Sequence, residues 1–481
     1  MRLPSLLLAL TLSVGPSLVS GLVAAETRPN IILFVTDDMG ADAGCYGNKV
    51  IQTPQLDALA KDGVRMTAAF CTTASCSASR SVILTGLHNH ANAHYGHEHV
   101  YHHFRAYDNL KSLPVLLTDA GYHTARIGKL HVGPPEVFKW ETTLGAAERN
   151  TVQMANNCRE VIEAKADKPF FLYFCTGDPH RSGGVVAGDP HKPNPFGNKA
   201  GGYPGVKEVK YDPKDVIVPP FLPDTPACRA ELAQYYQSVS RVDQGLGRLI
   251  EILKAAGKYE NTLIVFTSDH GIAFPGGKTT VYEPGLKVPM IVKLPRPFSD
   301  GAAPRASTGR DCNALVSHVD LTPTLVDFAG ALAKDHKFQG RSWKDAVREE
   351  NPKDWDEINA SHTFHEITMY YPMRVVRDRQ YKLIWNIAAG LPYPFASDLW
   401  AAPAWQDRYT KGPDTLYGKR TVRDYIHRAP FELYDIKNDP DEVHNLANDK
   451  SYVKLLAEMK GRLQKFQEQS RDPWAMKWEY E

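Results

Sequence analysis

The sequence predicts an α/β protein: a mostly parallel sheet between helices, followed by a smaller α+β unit with an antiparallel sheet. Three observations carry that expectation. Short β-branched apolar runs alternate with segments of helical spacing through most of the chain. Several of those runs are apolar at nearly every position, as strands covered on both faces must be. Past residue 370 the alternation gives way to paired short strands and one terminal helix.

The elements follow in order. Arg2, an apolar run from Leu6 to Val14 and a small-residue exit at Val23-Ala24-Ala25 read as a signal peptide over residues 1–25. Pro16, Ser17 and Ser20 interrupt the span of about 20 apolar residues that a membrane helix needs. The expectation is therefore an exported chain without a membrane span, periplasmic or extracellular in a bacterium and lysosomal in an animal. The first mature strand is Asn30–Thr36, ending abruptly in Asp37-Asp38. A helix over Pro54–Asp62 has Pro at its start and Gly63 at its stop. Then come helix Leu113–Ala120, strand Tyr122–Ile127, helix Val152–Ala164 and strand Phe170–Cys175. A long helix over Ala227–Ala256 leads into strand Leu263–Thr267. Beyond 370, Met373–Asp378 and Gln380–Asn386 read as adjacent strands, Phe431–Ile436 as a third and Tyr452–Gln469 as the last helix. Residues 388–430 read as ordered loops. This divides the mature chain into a catalytic domain, 26–370, and a C-terminal subdomain, 371–481.

Composition excludes some functions. A formal net charge of +1 speaks against the broad basic surface of a nucleic-acid protein, so an acidic polymer would be gripped locally at one end. The seven cysteines (45, 71, 76, 158, 175, 228 and 312) show no CxxC pair and no zinc-ligand spacing. Their odd number leaves at least one unpaired, which in an oxidising compartment needs a reason.

The polar candidates stand just past the strands: Asp37 and Asp38, Lys129 and His131, Asp178 and His180, Asp269 and His270. In an open α/β sheet the carboxyl ends of the strands line one crevice, so four segments deliver charge to one place. Asp37-Asp38 alone would be a turn or a helix cap. With Asp269 added, three crowded carboxylates call for a hard divalent cation, Ca²⁺ or Mg²⁺. The tract from His88 to His103 holds seven histidines without regular ligand spacing and reads as the lip of a pocket.

Cys76-Ser77-Ala78-Ser79-Arg80, followed by Ser81 and then Thr85-Gly86, resembles the signature of the type I sulfatases of the alkaline phosphatase superfamily. The resemblance implies an alkaline-phosphatase-like fold and oxidation of Cys76 to formylglycine by a maturation enzyme. One hydroxyl of the aldehyde hydrate would attack sulfur, and the other would collapse the diol to release sulfate. Carried over residue by residue, Arg80 would hold the hydrate, Lys129 the sulfate, and His131 the diol. His180 would stand beside the leaving group and Lys278 opposite Lys129. Asp37, Asp38, Asp269, His270 and the group derived from Cys76 would hold the metal. Two departures stand out: Ala78 replaces the commoner proline, leaving the maturation system open, and His270 replaces the commoner asparagine.

Further tracts resemble the heparan N-sulfatase branch: Gly128-Lys129 through His131-Val-Gly-Pro134, Asp178-Pro-His180-Arg181, and His365-Glu366-Ile-Thr-Met369 before Tyr371-Pro-Met-Arg374. This branch implies hydrolysis of the N–S bond of terminal N-sulfoglucosamine in heparan sulfate or heparin. Since an amine leaves poorly unless protonated, His180 is the candidate general acid. His365 and Glu366 are candidates for reading the sugar, with Lys278 and His180 also contacting substrate. The competing expectations are an O-sulfatase for another sulfated glycan, a phosphatase of the same superfamily, and a non-catalytic glycan-binding homologue whose Cys76 stays a thiol. Oligomeric state is left open, a homodimer included.

Overall fold

The computed structural model describes residues 28–164, 168–181, 194–299 and 309–480, so the expected leader lies outside the described residues. Strand β1 (Asn30–Thr36) is buried along its whole length and sits in the middle of an eight-stranded sheet. The other seven strands are β2 (Val64–Phe70), β3 (His123–Gly128), β4 (Thr142–Leu144), β5 (Phe170–Cys175), β6 (Thr262–Ser268), β7 (Met290–Lys293) and β8 (Arg310–Ser317). They run in the order β4-β3-β5-β1-β6-β7-β2-β8. All pairs are parallel except those of β7, which runs antiparallel to both β6 and β2. Helices explain the two-sided apolar strands: Pro54–Asp62 and Thr151–Asn157 both pack on the long helix Pro226–Ala255. Phe34 on β1 stacks with its register partners Phe174 and Phe266, centroids 4.6 and 5.2 Å away, tying the three central strands together.

The order of the central strands positions the site. β3, β5, β1 and β6 are consecutive neighbours, so their carboxyl ends form one continuous edge. Backbone bonds continue the pairing into the loops: Lys129 N–H to Cys175 O at 3.1 Å, Asp37 N–H to Asp178 O at 3.1 Å, and Asp269 N–H to Thr36 O at 3.0 Å.

A second, antiparallel sheet has the order β14-β11-β10-β9, from β9 (Glu357–His362), β10 (Met373–Asp378), β11 (Tyr381–Asn386) and β14 (Phe431–Asp435). A two-stranded ribbon, β12 (Leu416–Tyr417) with β13 (Arg420–Thr421), lies between. Alternating residues serve two cores, as a strand's two-residue period dictates. Val375, Ile384 and Tyr434 join the main core, while Val376, Leu383, Trp385 and Leu433 pack against Met459 and Leu463 of the terminal helix Val453–Ser470.

The architecture agrees with the sequence reading, with local differences. The region expected as one helix to Ala164 begins as two short helices, Thr151–Asn157 and Arg159–Ile162, separated at Cys158. β2, β4, β7, β8, β9, β12 and β13 were not anticipated: β2 and β8 mix polar and apolar residues, and β4, β7, β12 and β13 have four residues or fewer. β9 also places a strand of the second sheet before residue 370. Residues 388–430 include short helices Ser397–Trp400, Pro403–Tyr409 and Val422–Ile426. None of the seven cysteines is in a disulfide, and all but Cys45 are buried. Among the described residues no helix is long and apolar enough to cross a membrane.

Gly128 ends β3 with a left-handed backbone, φ 79°. A Cβ there would stand 1.9 Å from Cys175 O, so neither the conformation nor the space admits a side chain. We expect Gly128→Ala to destabilise the fold by about 1–3 kcal/mol, read as a lower denaturant midpoint, and to displace Lys129.

Candidate active site

The helix Cys76–Thr85 is the first component. All ten residues are buried, although half of its side chains are polar. Such a helix is stable only if each polar group finds a partner. Ser81 donates to Ala78 O at 2.7 Å, Thr85 to Ser81 O at 2.7 Å, and Ser79 to Asp269 O. Cys76 opens the helix, its Sγ 3.5 Å from Asp38 Oδ1 and 3.4 Å from His270 Nε2. Burial pushes its thiol up despite Lys129 and Lys278, so an unmodified Cys76 is not an activated thiolate.

Arg80 lies one turn further on the same face and is fully buried. Its guanidinium donates to Asp269 Oδ2 at 3.1 Å, Asp37 Oδ1 at 3.2 Å and Lys129 O at 3.0 Å. Lys129 Nζ grips both oxygens of Asp37, at 2.9 and 2.6 Å. Lys278 Nζ donates to Asp38 Oδ2, Asp398 Oδ2 and His180 Nε2, each at 3.0 Å. His270 Nε2 lies 2.9 Å from Asp38 Oδ1. Three buried aspartates thus face three obligate cations. Burial opposes ionisation, but Lys129 holds Asp37, and Lys278 holds Asp38, well below the usual carboxylate range. Burial raises Asp269 in spite of Arg80. His270, though buried, is held well above the ordinary imidazole range by Asp38 and Asp269.

That last feature tests the site for a metal. A carboxylate oxygen of Asp38, one of Asp269, Cys76 Sγ and a ring nitrogen of His270 all lie within 4.8 Å of one another. A divalent cation fits this donor set, taking oxygen ligands from Asp38 and Asp269 and offsetting the negative charge that now acts on His270. Asp37 is placed beside this group, engaged by Lys129 and Arg80.

The other sequence-predicted residues are distributed around the rim. His180 is partly exposed and accepts from Lys278; burial and that ammonium lower its pKa to about 4. His131 adopts φ 57° and touches His99. His365 is buried and uses both ring nitrogens, Nδ1 on Ser75 Oγ and Nε2 on His97 Nε2, each at 2.9 Å. It supports the residue preceding Cys76 instead of facing open space. Glu366 is half-buried, its Oε1 accepting from Ser397 N–H at 3.1 Å and Ser397 Oγ at 2.9 Å. Asp178 is structural: its carboxylate is held by Arg149 and Arg241. The sequence reading missed Asp398, which has no motif around it, and the supporting pair Ser75 and His97.

Comparisons with known proteins agree with this geometry. Residues 29–331 match the family model Sulfatase, and residues 273–390 match the model N-sulphoglucosamine sulphohydrolase, C-terminal. Human N-sulphoglucosamine sulphohydrolase is 39% identical over 478 residues, covering 95% of this chain and 93% of the relative. An ulvan-active sulfatase of Formosa agariphila is 28% identical over 451 residues, covering 90% and 78%. Among solved structures, a protein in complex with its substrate D-glucosamine-2-N,6-O-disulfate superposes with TM-score 0.66 at 21% identity, covering 93% of this chain and 99% of that one. The phosphonate monoester hydrolase of Agrobacterium radiobacter gives 0.65 at 19% identity, covering 92% and 96%. At those identities the likeness concerns the fold, which is the alkaline-phosphatase-like one expected from the sequence. With a signature helix buried against paired aspartates and a match spanning nearly its whole length, the chain belongs to the sulfatase family, in the branch with the C-terminal part of N-sulphoglucosamine sulphohydrolase.

Proposed function

We propose that this enzyme removes the N-sulfate of terminal N-sulfoglucosamine in heparan sulfate or heparin. The observation that carries the reading is Cys76 at the start of a buried helix, flanked by the cation-site donors and two lysines, in a chain similar throughout to an N-sulphoglucosamine sulphohydrolase. Cys76 oxidised to formylglycine by a maturation enzyme would supply the hydrate nucleophile, and Ca²⁺ (or Mg²⁺) held by Asp38, Asp269 and His270, beside Asp37, would supply compensating charge. The leader-like residues 1–25 support export.

The chain's own residues account for the rest. Lys129 and Lys278 approach from the Asp37 and Asp38 sides and would bind the peripheral sulfate oxygens, where charge develops during sulfuryl transfer. The leaving nitrogen needs a proton. His180, with its Nε2 3.0 Å from Lys278 Nζ, is the candidate to deliver it. Arg80 binds no substrate; it fixes Asp37 and Asp269 in place. Glu366, braced by Ser397, is the carboxylate placed to accept from sugar hydroxyls or amine.

Sulfate release should be much faster from N-sulfoglucosamine than from 6-O-sulfated glucosamine; the reverse order would make the protein an O-sulfatase. Mass spectrometry of the peptide containing Cys76 should show a loss of hydrogen sulfide and a gain of one oxygen. An active sample with an intact thiol would defeat the proposed nucleophile. Lys278→Met and Asp269→Asn should each lower kcat by about 10²–10³-fold. Chelation should abolish turnover, and added Ca²⁺ should restore it. Glu366→Gln should raise KM with little change in kcat, the signature of a lost ground-state contact.

A further inference from the structure

None of the seven histidines between His88 and His103 belongs to the cluster of Asp38, Cys76, Asp269 and His270, and the fold sorts them. His88 and His90 pack edge-on against Phe466 of the terminal helix, and His94 bonds Gly96 O. His97 and His99 instead turn toward His131, which arrives from the far end of β3. The three rings form a triangle, with centroids 4.7 Å apart for His97 and His99, 4.9 Å for His97 and His131, and 4.6 Å for His99 and His131. His99 Nδ1 and His131 Nε2 are in direct contact. One ring nitrogen from each of the three lies within 4.8 Å of the other two.

We propose that His97, His99 and His131 form a second metal site at the mouth of the active site, selective for a borderline transition ion such as Zn²⁺. The donor set is all imidazole, which suits Zn²⁺, Cu²⁺ and Ni²⁺, whereas Ca²⁺ seeks oxygen. Three histidines make a familiar zinc donor set, in which His97 would exchange a present partner, His365 Nε2 or Ser77 Oγ, for the ion, and the exposed His99 provides the way in. His131 is presented from a left-handed backbone that a non-glycine residue adopts only when its surroundings impose it. Protons compete weakly for these nitrogens. Burial, reinforced by Lys278 around His97 and by Lys129 around His131, keeps both well below the usual imidazole range, and burial also lowers His99. Lys129 opposes a cation here, but the carboxylates of Glu98 and Glu366 act on His99 in the opposite sense. An ion bound at this place would hold His131, the residue that the family resemblance assigns to the diol, so transition metals should inhibit while Ca²⁺ does not.

The test uses the full-length protein held in excess Ca²⁺ and titrated with Co²⁺, whose visible spectrum reports tetrahedral nitrogen coordination. Wild type should bind one Co²⁺ with that spectrum, and Zn²⁺ should displace it. His99→Gln, outside the catalytic machinery, should weaken Co²⁺ binding by at least about ten-fold and keep its sulfatase activity. Zn²⁺ that inhibits the wild type should leave His99→Gln unaffected at the same concentration. Absence of the Co²⁺ spectrum in wild type, or equal affinity in His99→Gln, would overturn the site. The spectroscopic readout needs no turnover, so its failure is separable from failure of the sulfatase reading.

Discussion

The active site depends on one buried cation, the guanidinium of Arg80. It bonds the carboxylate after β1, the carboxylate after β6 and the carbonyl of Lys129 after β3, and it belongs to the helix that starts at Cys76. Taking such a group out of water is expensive, and only the completed set of partners repays it. Removing one partner from a buried pair of this kind typically costs about 3–5 kcal/mol, because the other charge remains unpaired. Arg80 therefore locks the relative positions of three strand ends and the Cys76 helix, so that the parts of the site share one geometry.

The lysines extend the same logic outward. Lys129 neutralises Asp37 on one side, while Lys278 spans Asp38, His180 and Asp398 on the other. In this arrangement the fixed charges of the chain nearly balance, and Asp38 and Asp269 hold the buried His270 imidazole well above its ordinary range. A divalent ion held here would leave a surplus positive field, which is what an anionic sulfate group requires. Preorganised charge of this kind costs no rearrangement when the substrate arrives.

The antiparallel sheet shapes the pocket although none of the core charged groups comes from it. Ser361 N–H of β9 donates to Thr72 O at 2.7 Å, fastening the edge of the small sheet just before the Cys76 helix. The loop after β9 then delivers His365 to Ser75, and Glu366 reaches Ser397. Residues more than 280 positions apart in sequence thus cooperate around one helix turn, and the junction between the two sheets becomes part of the site.

Local order determined much of this protein. Runs such as Ile31–Val35 and Phe170–Cys175 must be buried strands because nothing polar interrupts them, and polar residues immediately after them must lie at a sheet edge. The segment from Cys76 to Arg80 and the tract around His365 carried family and branch for the same reason: their information lies in adjacent residues. Strand order does not. That β3, β5, β1 and β6 are neighbours, and that Asp398 meets Lys278 while His365 turns inward to Ser75, depends on contacts between residues far apart in the chain. No residue pattern encodes such contacts, because they exist only once burial has forced distant charges to pair with one another instead of with water.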